Sequence, residues 1–223
     1  MSTQTIDPFV TSRTGALSVN KVLSNTYALL SMTLLFSAVT AGISMALNLP
    51  HPGLLLTLVG YFGLLFATAR FRNSGLGLVF VFALTGFMGY TLGPILNAYL
   101  ALANGGQLVA TTMGATGAIF LGMSGYALVS RRDFSFMGSF LMVGILVGFV
   151  AGVGAILFEI PALSLAVSAV FVLLMSGLIL YETSNIVHGG ETNYIMATVT
   201  LFVSIFNLFT SLLHLLGFMG GQE

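Results

Sequence analysis

The sequence predicts an all-α membrane protein, a bundle of seven transmembrane helices with a cytoplasmic N-terminus and a C-terminus outside. The chain of 223 residues carries only six Lys or Arg and six Asp or Glu. Hydrophobic residues make up 57% of it and the mean hydropathy is +1.05, so a soluble domain of this length would expose large apolar patches. Because a helix satisfies its own backbone hydrogen bonds in lipid, a helical bundle is favoured over strands.

The charged residues divide the chain into charge-free stretches that count the helices. The stretches are 22–69, 73–130, 134–158, 160–181 and 192–222, with 48, 58, 25, 22 and 31 residues. A spanning helix uses ~20 apolar residues, so the first two stretches each hold a hairpin and the other three each hold one helix.

Polar and charged residues set the ends of the predicted helices. The first stretch divides near Asn48 and the second near Asn104, while Glu159 and Glu182 bound helix six and Glu191 precedes helix seven. The predicted helices are 22–47, 52–69, 76–102, 106–129, 135–157, 161–185 and 193–216. Short loops join them, so residues 21–223 form one transmembrane domain. Residues 1–20 are polar and lack an apolar face, which predicts a flexible cytoplasmic tail.

The positive charges orient the bundle. They precede helix one (Arg13, Lys21), separate helices two and three (Arg70, Arg72) and separate helices four and five (Arg131, Arg132). These three places lie on one side of a seven-helix chain, and the loops on the other side contain no Lys or Arg. The positive-inside rule therefore puts the N-terminus in the cytoplasm.

Composition also excludes several classes of function. Net charge is zero and no basic cluster exceeds paired arginines, so no nucleic-acid partner is expected. Zero cysteines exclude disulfides and thiolate metal sites. The sequence contains neither a paired acidic metal cluster nor a phosphate-binding loop, and no cofactor or metal is predicted.

Small residues indicate where helices approach closely. Helix five carries glycines at intervals of four, and helix three has a glycine pair at the same spacing followed by a proline, which predicts a kink there. These helix-packing residues are Gly144, Gly148 and Gly152, and Gly89, Gly93 and Pro94. Packing within the bundle is favoured over a dimer interface for these glycines.

A polar stripe follows one face of helix seven. Thr200, Ser204, Asn207, Ser211 and His214 step by four and three residues. Serine and threonine commonly join helices through hydrogen bonds, but asparagine and histidine are costly in that role. The stripe is therefore a candidate polar pathway through the membrane.

Glu182 is the acidic side chain expected just below the membrane surface, at the end of helix six. It is either an ordinary exposed residue at a helix end or a functional group that pairs with Arg70 or Arg72. Burial disfavours a carboxylate and a neighbouring arginine favours it, so a paired Glu182 could act as a pH-sensing or gating residue.

Catalysis is not predicted. Gly122-Met123-Ser124-Gly125 matches the G-x-S-G around the nucleophile of rhomboid intramembrane proteases, which requires a histidine as base. The predicted topology puts Ser124 near the cytoplasmic side and His214 near the outer side, ~20 Å or more apart, whereas a nucleophile and its base lie ~3 Å apart.

Four strings carry a resemblance to a known family. Thr85-Gly86-Phe87-Met88-Gly89-Tyr90-Thr91-Leu92-Gly93-Pro94-Ile95 resembles the signature of the Bax inhibitor-1 family. The strings 21–27, Ile160-Pro161-Ala162-Leu163 and 182–194 are similar to a bacterial branch of it. The similarity covers the chain from Lys21 onward.

The resemblance implies a seven-helix fold in the bacterial inner membrane, with a central helix wrapped by the others. It also implies one of two functions. Bacterial members bind the ATP-dependent membrane protease FtsH and its HflK and HflC partners, and restrain the protease. Other members act as pH-sensitive leak pathways with Ca²⁺ as the permeant ion, governed by an acidic pair on helices six and seven. Glu182 matches the first acidic position, but Ser204 stands at the second, so the protease-modulator function is favoured over the calcium leak.

Overall fold

Residues 8–220 fold as a bundle of seven α-helices. The structure is a computed structural model that describes the backbone of residues 8–220 and the side chains of residues 19–220. The helices are α1 Pro8–Ala46, α2 Leu54–Arg70, α3 Gly75–Leu100, α4 Gly105–Ser130, α5 Gly138–Leu157, α6 Pro161–Val187 and α7 Tyr194–Gly220. A 3-10 turn, Ser135–Met137, precedes α5. No strand occurs in residues 8–220, so the all-helical prediction is confirmed.

Six of these helices are long and apolar enough to cross a membrane, and α2, with 17 residues, is shorter. Most helix ends lie within a few residues of their predicted positions. The largest difference is in α1, which begins at Pro8 rather than near residue 22. Its first turns therefore extend into the segment assigned to a tail. Residues 1–7 of that segment lie outside the described residues, and the flexibility of the tail and the orientation of the termini remain predictions.

The last helix occupies the middle of the bundle. α7 packs against α1, α3, α4 and α6, and its apolar side chains form much of the core. Among them Leu201, Phe202 and Leu208 are almost completely buried. α2 packs on α3, and α5 packs on α6, so these two helices lie at the outside of the bundle.

The two ends of the bundle differ in charge. We call the end with the α2–α3 and α4–α5 connections the arginine end, because Arg70, Arg72, Arg131 and Arg132 lie there. The opposite end contains the turns at Asn48, Asn104 and Glu159. No Lys or Arg occurs in those turns.

Candidate functional site

A cluster of buried polar side chains lies between α1, α4, α6 and α7, toward the arginine end. Its members are Thr26, Tyr27, Ser124, Glu182, Thr183 and Thr198, which we call the polar cluster. All but Tyr27 are at most 4% exposed. Buried polar groups in a membrane bundle are costly in free energy unless they are paired. The polar cluster is therefore the candidate functional site.

Thr183 holds three helices together within the polar cluster. Its hydroxyl lies 3.2 Å from the hydroxyl of Tyr27 on α1 and 3.3 Å from that of Ser124 on α4. A second link joins α7 to α1, because the Thr198 hydroxyl donates a hydrogen bond to the Thr26 carbonyl at 3.2 Å. The cluster therefore couples the positions of four helices.

Two buried oxygen atoms in the polar cluster have no hydrogen-bond partner among the described residues. Glu182 is 4% exposed, and its Oε1 has no hydrogen bond from the described residues. The Thr26 Oγ1 is in the same situation. Since almost every buried polar atom in a native protein is paired, these two atoms are the unsatisfied part of an otherwise bonded site.

The structure does not bring Glu182 together with Arg70 or Arg72. Both arginines are exposed, and the Arg70 guanidinium lies over the Phe71 ring at 5.8 Å from its centroid. The physical reason is that α2 packs on α3 at the outside of the bundle, whereas Glu182 faces inward on α6. Of the two interpretations that the sequence left open, the exposed helix end is therefore excluded, and the arginine partner is not formed.

Ser204 lies one helical turn deeper than Glu182. The contact between Ser168 Oγ on α6 and His214 Nδ1 on α7, at 2.8 Å, fixes the register of these antiparallel helices. With equal rise along both helices, the residue level with Glu182 is Thr200, and Ser204 follows about 6 Å farther along the axis. Ser204 is completely buried, and its hydroxyl donates to the Thr200 carbonyl at 2.7 Å.

Three side chains of the polar stripe of α7 make hydrogen bonds, two of them to their own helix. Asn207 donates from Nδ2 to the Val203 carbonyl at 2.8 Å, as Ser204 does to Thr200. His214 instead contacts α6 through Ser168. Side chains that return to the preceding turn satisfy themselves without a neighbouring helix. These side chains therefore form hydrogen bonds within α7 and to α6. The role of the stripe as a polar pathway stays a prediction.

The glycines on α5 face α6. A Cβ atom added at Gly144 would lie 2.7 Å from Leu174 Cδ2, and one at Gly148 would lie 2.6 Å from Phe171 Cε2. At Gly152 the distance to Val167 Cγ1 would be an ordinary 3.5 Å. Close helix approach therefore depends on the first two glycines of the stripe.

The glycine pair on α3 faces α1. A Cβ atom at Gly89 would overlap the Ser37 carbonyl and the Thr40 hydroxyl, and one at Gly93 would lie 2.5 Å from Ser44 Cβ. α3 continues through Pro94 as one helix. The kink at this proline stays a prediction.

Side chains at the arginine end tie the interhelical connections together. The Ser184 hydroxyl donates to the Arg132 carbonyl at 3.0 Å and accepts from the Phe134 amide at 3.1 Å. The His188 ring reaches the carbonyls of Ser184 and Arg131, at 2.8 and 3.1 Å. The end of α6 is thereby fastened to the α4–α5 connection.

Asn193 performs two tasks at the same end. Its Oδ1 accepts from the amides of Ile195 and Met196 at 3.0 and 3.1 Å, which caps the start of α7. Its Nδ2 donates to the Arg72 carbonyl at 3.1 Å. Sequence reasoning did not single out Asn193, although an asparagine directly before an apolar helix is the usual signal of an N-cap.

Asp133 lies in the α4–α5 connection beside Arg132. Its pKa is lowered, first by hydrogen bonds from the Ser135 amide and hydroxyl and then by the nearby His188. A lowered pKa means that Asp133 stays ionised at pH values below the ordinary titration range of aspartate, and it loses its stabilising bonds only as the pH falls through the lowered value. At neutral pH this connection therefore carries two positive charges and one negative charge.

Ser124 and His214 do not meet. Ser124 contacts Thr183 on the arginine side of the bundle, whereas His214 contacts Ser168 near the opposite end. In the described residues, no group of three His, Cys, Asp or Glu could hold a metal ion.

Comparisons with known proteins agree with the geometry. Residues 19–221 match the model of the Bax inhibitor-1 family, described as inhibitor of apoptosis-promoting Bax1. The chain is 56% identical over 206 residues to a protein of Escherichia coli strain K12 named modulator of FtsH protease YccA, covering 92% of this chain and 94% of that one. The same identity and coverage relate it to the inner membrane protein YccA of Escherichia coli O6:H1. An uncharacterized protein of Pseudomonas aeruginosa is 51% identical over 205 residues, or 92% of each chain.

Proposed function

Because the chain belongs to the Bax inhibitor-1 family, as a multi-pass inner-membrane protein, we propose that it binds the membrane protease FtsH and modulates it without catalysis. The observation that carries this proposal is the 56% identity, over 92% of the chain, to a relative named as an FtsH modulator. At that identity and coverage the same fold and the same surfaces are expected along the whole length.

The arginine end is the surface we assign to the protease. Side-chain bonds from Ser184, His188 and Asn193 hold the connections there in one arrangement. A preorganised surface loses little conformational freedom on binding. The same end carries most of the charge of the chain, which gives a polar partner complementary groups. HflK and HflC accompany FtsH in the proposed complex, and this chain would associate with them indirectly, through its binding to FtsH.

We do not adopt the calcium leak. An acidic pair needs two carboxylates, and Ser204 provides none. Of the α7 polar side chains, Ser204 and Asn207 are bonded to their own helix and His214 to Ser168 on α6.

The test is affinity purification of the tagged protein from native membranes, followed by measurement of FtsH in the eluate. We expect FtsH to co-purify in stoichiometric amounts, and overproduction of the protein to slow the degradation of an FtsH substrate. A variant with both Arg131 and Arg132 replaced by Gln should recover less FtsH. Replacement of Arg70 and Arg72 by Gln removes two charges from the α2–α3 connection of the same surface and should also recover less FtsH. Absence of FtsH from the wild-type eluate would contradict the proposal.

A second test uses the N-terminus as a handle for a processive ATPase. Deletion of residues 2–12 should lengthen the lifetime of the protein in cells that contain FtsH and leave membrane insertion unchanged. Unchanged turnover would exclude this segment as the handle, while leaving the binding proposal to the co-purification result.

A further inference from the structure

A long apolar groove lies between α1 and α4, toward the opposite end of the bundle. α7 forms its floor and α3 closes one side. Its volume is about 430 Å³. Residues that line it include Ala41, Gly42, Leu96, Gly117, Phe120 and Phe206. α1 packs on α3, whereas α4 packs on α6 and α7. α1 and α4 make few contacts with each other, among them the ring pair of Tyr27 and Phe120, and the groove occupies the space between them.

The groove opens sideways into the hydrocarbon layer. Ala38 and Gly42 on one lip are exposed, and Met113 on the other is 62% exposed. All four helices that form it are long enough to span a membrane. Only two of its lining residues carry hydroxyl groups, and that of Thr116 is already bonded to the Thr112 carbonyl at 2.8 Å. Water has few polar partners here, so an apolar occupant is favoured.

The dimensions of the groove select the occupant. An apolar cavity of roughly 150 Å³ holds one benzene molecule, so 430 Å³ has room for about three times as many carbon atoms, roughly 18. Along α1 the lining extends from Leu34 to Met45, about 16 Å at 1.5 Å per residue, which is half of the ~30 Å hydrocarbon core. A transmembrane helix of a partner, at ~10 Å diameter, is too wide for this volume.

We propose that this groove binds one acyl chain of a phospholipid from the leaflet at the opposite end of the bundle. The groups beside its outer mouth are uncharged: Asn97 donates to the Met45 carbonyl at 3.2 Å and lies 3.4 Å from the Asn48 side chain. Since no Lys or Arg lies in the turns at that end, the site has no electrostatic preference for an anionic headgroup. The phospholipid is therefore a zwitterionic one such as phosphatidylethanolamine. This inference does not depend on the proposed function.

Filling the groove tests the proposal. Gly117→Leu places a side chain in the groove, and its Cβ atom meets no atom within 4 Å, so the substitution starts from open space. Gly114→Leu on the same helix is the matched control, because its Cβ is equally unobstructed and Gly114 does not line the groove. The three proteins are purified in mild detergent and examined by native mass spectrometry with phosphatidylethanolamine and phosphatidylglycerol added in equal amounts.

We expect wild type and Gly114→Leu to retain one phosphatidylethanolamine per chain, and Gly117→Leu to lose it. Equal retention by Gly117→Leu, or no retained lipid in wild type, would overturn the proposal. Retention of a free fatty acid instead would contradict a phospholipid as the occupant of the groove. Selective retention of phosphatidylglycerol would contradict the zwitterionic headgroup.

Fluorescence in liposomes keeps the test independent of detergent. The chain contains no tryptophan, so Phe209→Trp introduces a single indole into the groove lining. Chain-brominated phosphatidylethanolamine at low mole fraction should quench this indole strongly, and Gly117→Leu should remove the excess quenching. Phe140→Trp, on the 71% exposed Phe140 of α5, reports ordinary boundary lipid and should be unaffected by Gly117→Leu. Equal quenching at both indoles would contradict a specific site.

Discussion

The arginine end and the opposite end of the bundle are built in different ways. At the arginine end, Ser184, His188 and Asn193 connect three interhelical segments through bonds to backbone groups. At the opposite end, such bonds join α1, α3 and the α1–α2 connection: Ser44 donates to the Tyr90 carbonyl at 3.0 Å, Asn97 to that of Met45, and the Tyr90 hydroxyl to that of Pro50 at 2.8 Å. Among the described residues none of these bonds reaches α4, and the groove lies between α1 and α4.

This difference shows what holds helices together in lipid. Between helices the hydrocarbon gives no hydrophobic driving force, so association depends on close packing and hydrogen bonds. Where both are supplied, as between α1 and α3, the helices touch. Where neither is supplied, as between α1 and α4 beyond Phe120, a space remains. The following substitutions test whether close packing and hydrogen bonds hold these helices together.

Gly93→Leu should separate α1 from α3 at the opposite end. Its Cβ would lie 2.5 Å from Ser44 Cβ and 3.0 Å from the Ala41 carbonyl, so the helices would have to move apart. We expect a loss of about 3 kcal/mol of stability, at the upper range for overpacking, seen as a lower melting temperature in detergent. Gly63→Leu, whose Cβ meets no atom within 4 Å, should melt like wild type. Equal melting of both variants would show that this contact does not hold the end together.

Replacements at Glu182 and Thr183 should move stability in opposite directions. Glu182 has an unpartnered buried oxygen, so Glu182→Met should raise stability by about 1–3 kcal/mol. Thr183→Val, which keeps the shape and removes contacts with Tyr27 and Ser124, should lower it by about 1–2 kcal/mol.

The measurement for this pair is the melting temperature of both variants in one detergent, with Ser176→Ala as a neutral reference on α6. A destabilised Glu182→Met would mean that the carboxyl group has a partner, such as a bound water, that contributes to the fold. A stabilised one would indicate that the carboxyl group is retained for function at the expense of stability.

Ser184→Ala should produce the smallest and most local effect. It removes the hydroxyl that bonds the Phe134 amide and the Arg132 carbonyl, a loss of about 1 kcal/mol. We expect faster hydrogen exchange at the Phe134 amide with little change in α7. Ser176→Ala is the control, since the Ser176 hydroxyl bonds only the Val172 carbonyl of its own helix at 2.6 Å. Unchanged exchange at Phe134 would show that the connection is held by other contacts.

Sequence reasoning predicted the helices because their lengths follow from the thickness of the bilayer. The charge-free stretch that ends before Glu182 predicted helix six at 161–185, and the structure has Pro161–Val187. The family resemblance was likewise confirmed by comparison. Hydrophobicity along the chain sets these features, and no knowledge of helix packing is needed for them.

The environment of Glu182 could not be predicted in the same way. A carboxyl group near the end of a helix is buried or exposed according to what covers that end, and Glu182 is only 4% exposed on α6, against which α1, α4, α5 and α7 pack. Arg70 and Arg72 were predicted as partners of Glu182 only because all three residues lie at the same end of the bundle. That prediction did not account for α2 packing outside α3. The groove could not be predicted from the sequence either, because it depends on how α1 and α4 are placed relative to each other.

The length of α1 has a mechanical consequence. It contains 39 residues, so it measures about 58 Å at 1.5 Å per residue. The membrane-crossing part, Val19–Ala46, accounts for 28 of them, or about 42 Å, the thickness of a bilayer with its headgroups. The remaining turns, residues 8–18, continue the span as helix. A machine pulling on these turns would transmit force along α1 to its contacts with α3 and α7, and the contact with α3 includes the close approaches at Gly89 and Gly93.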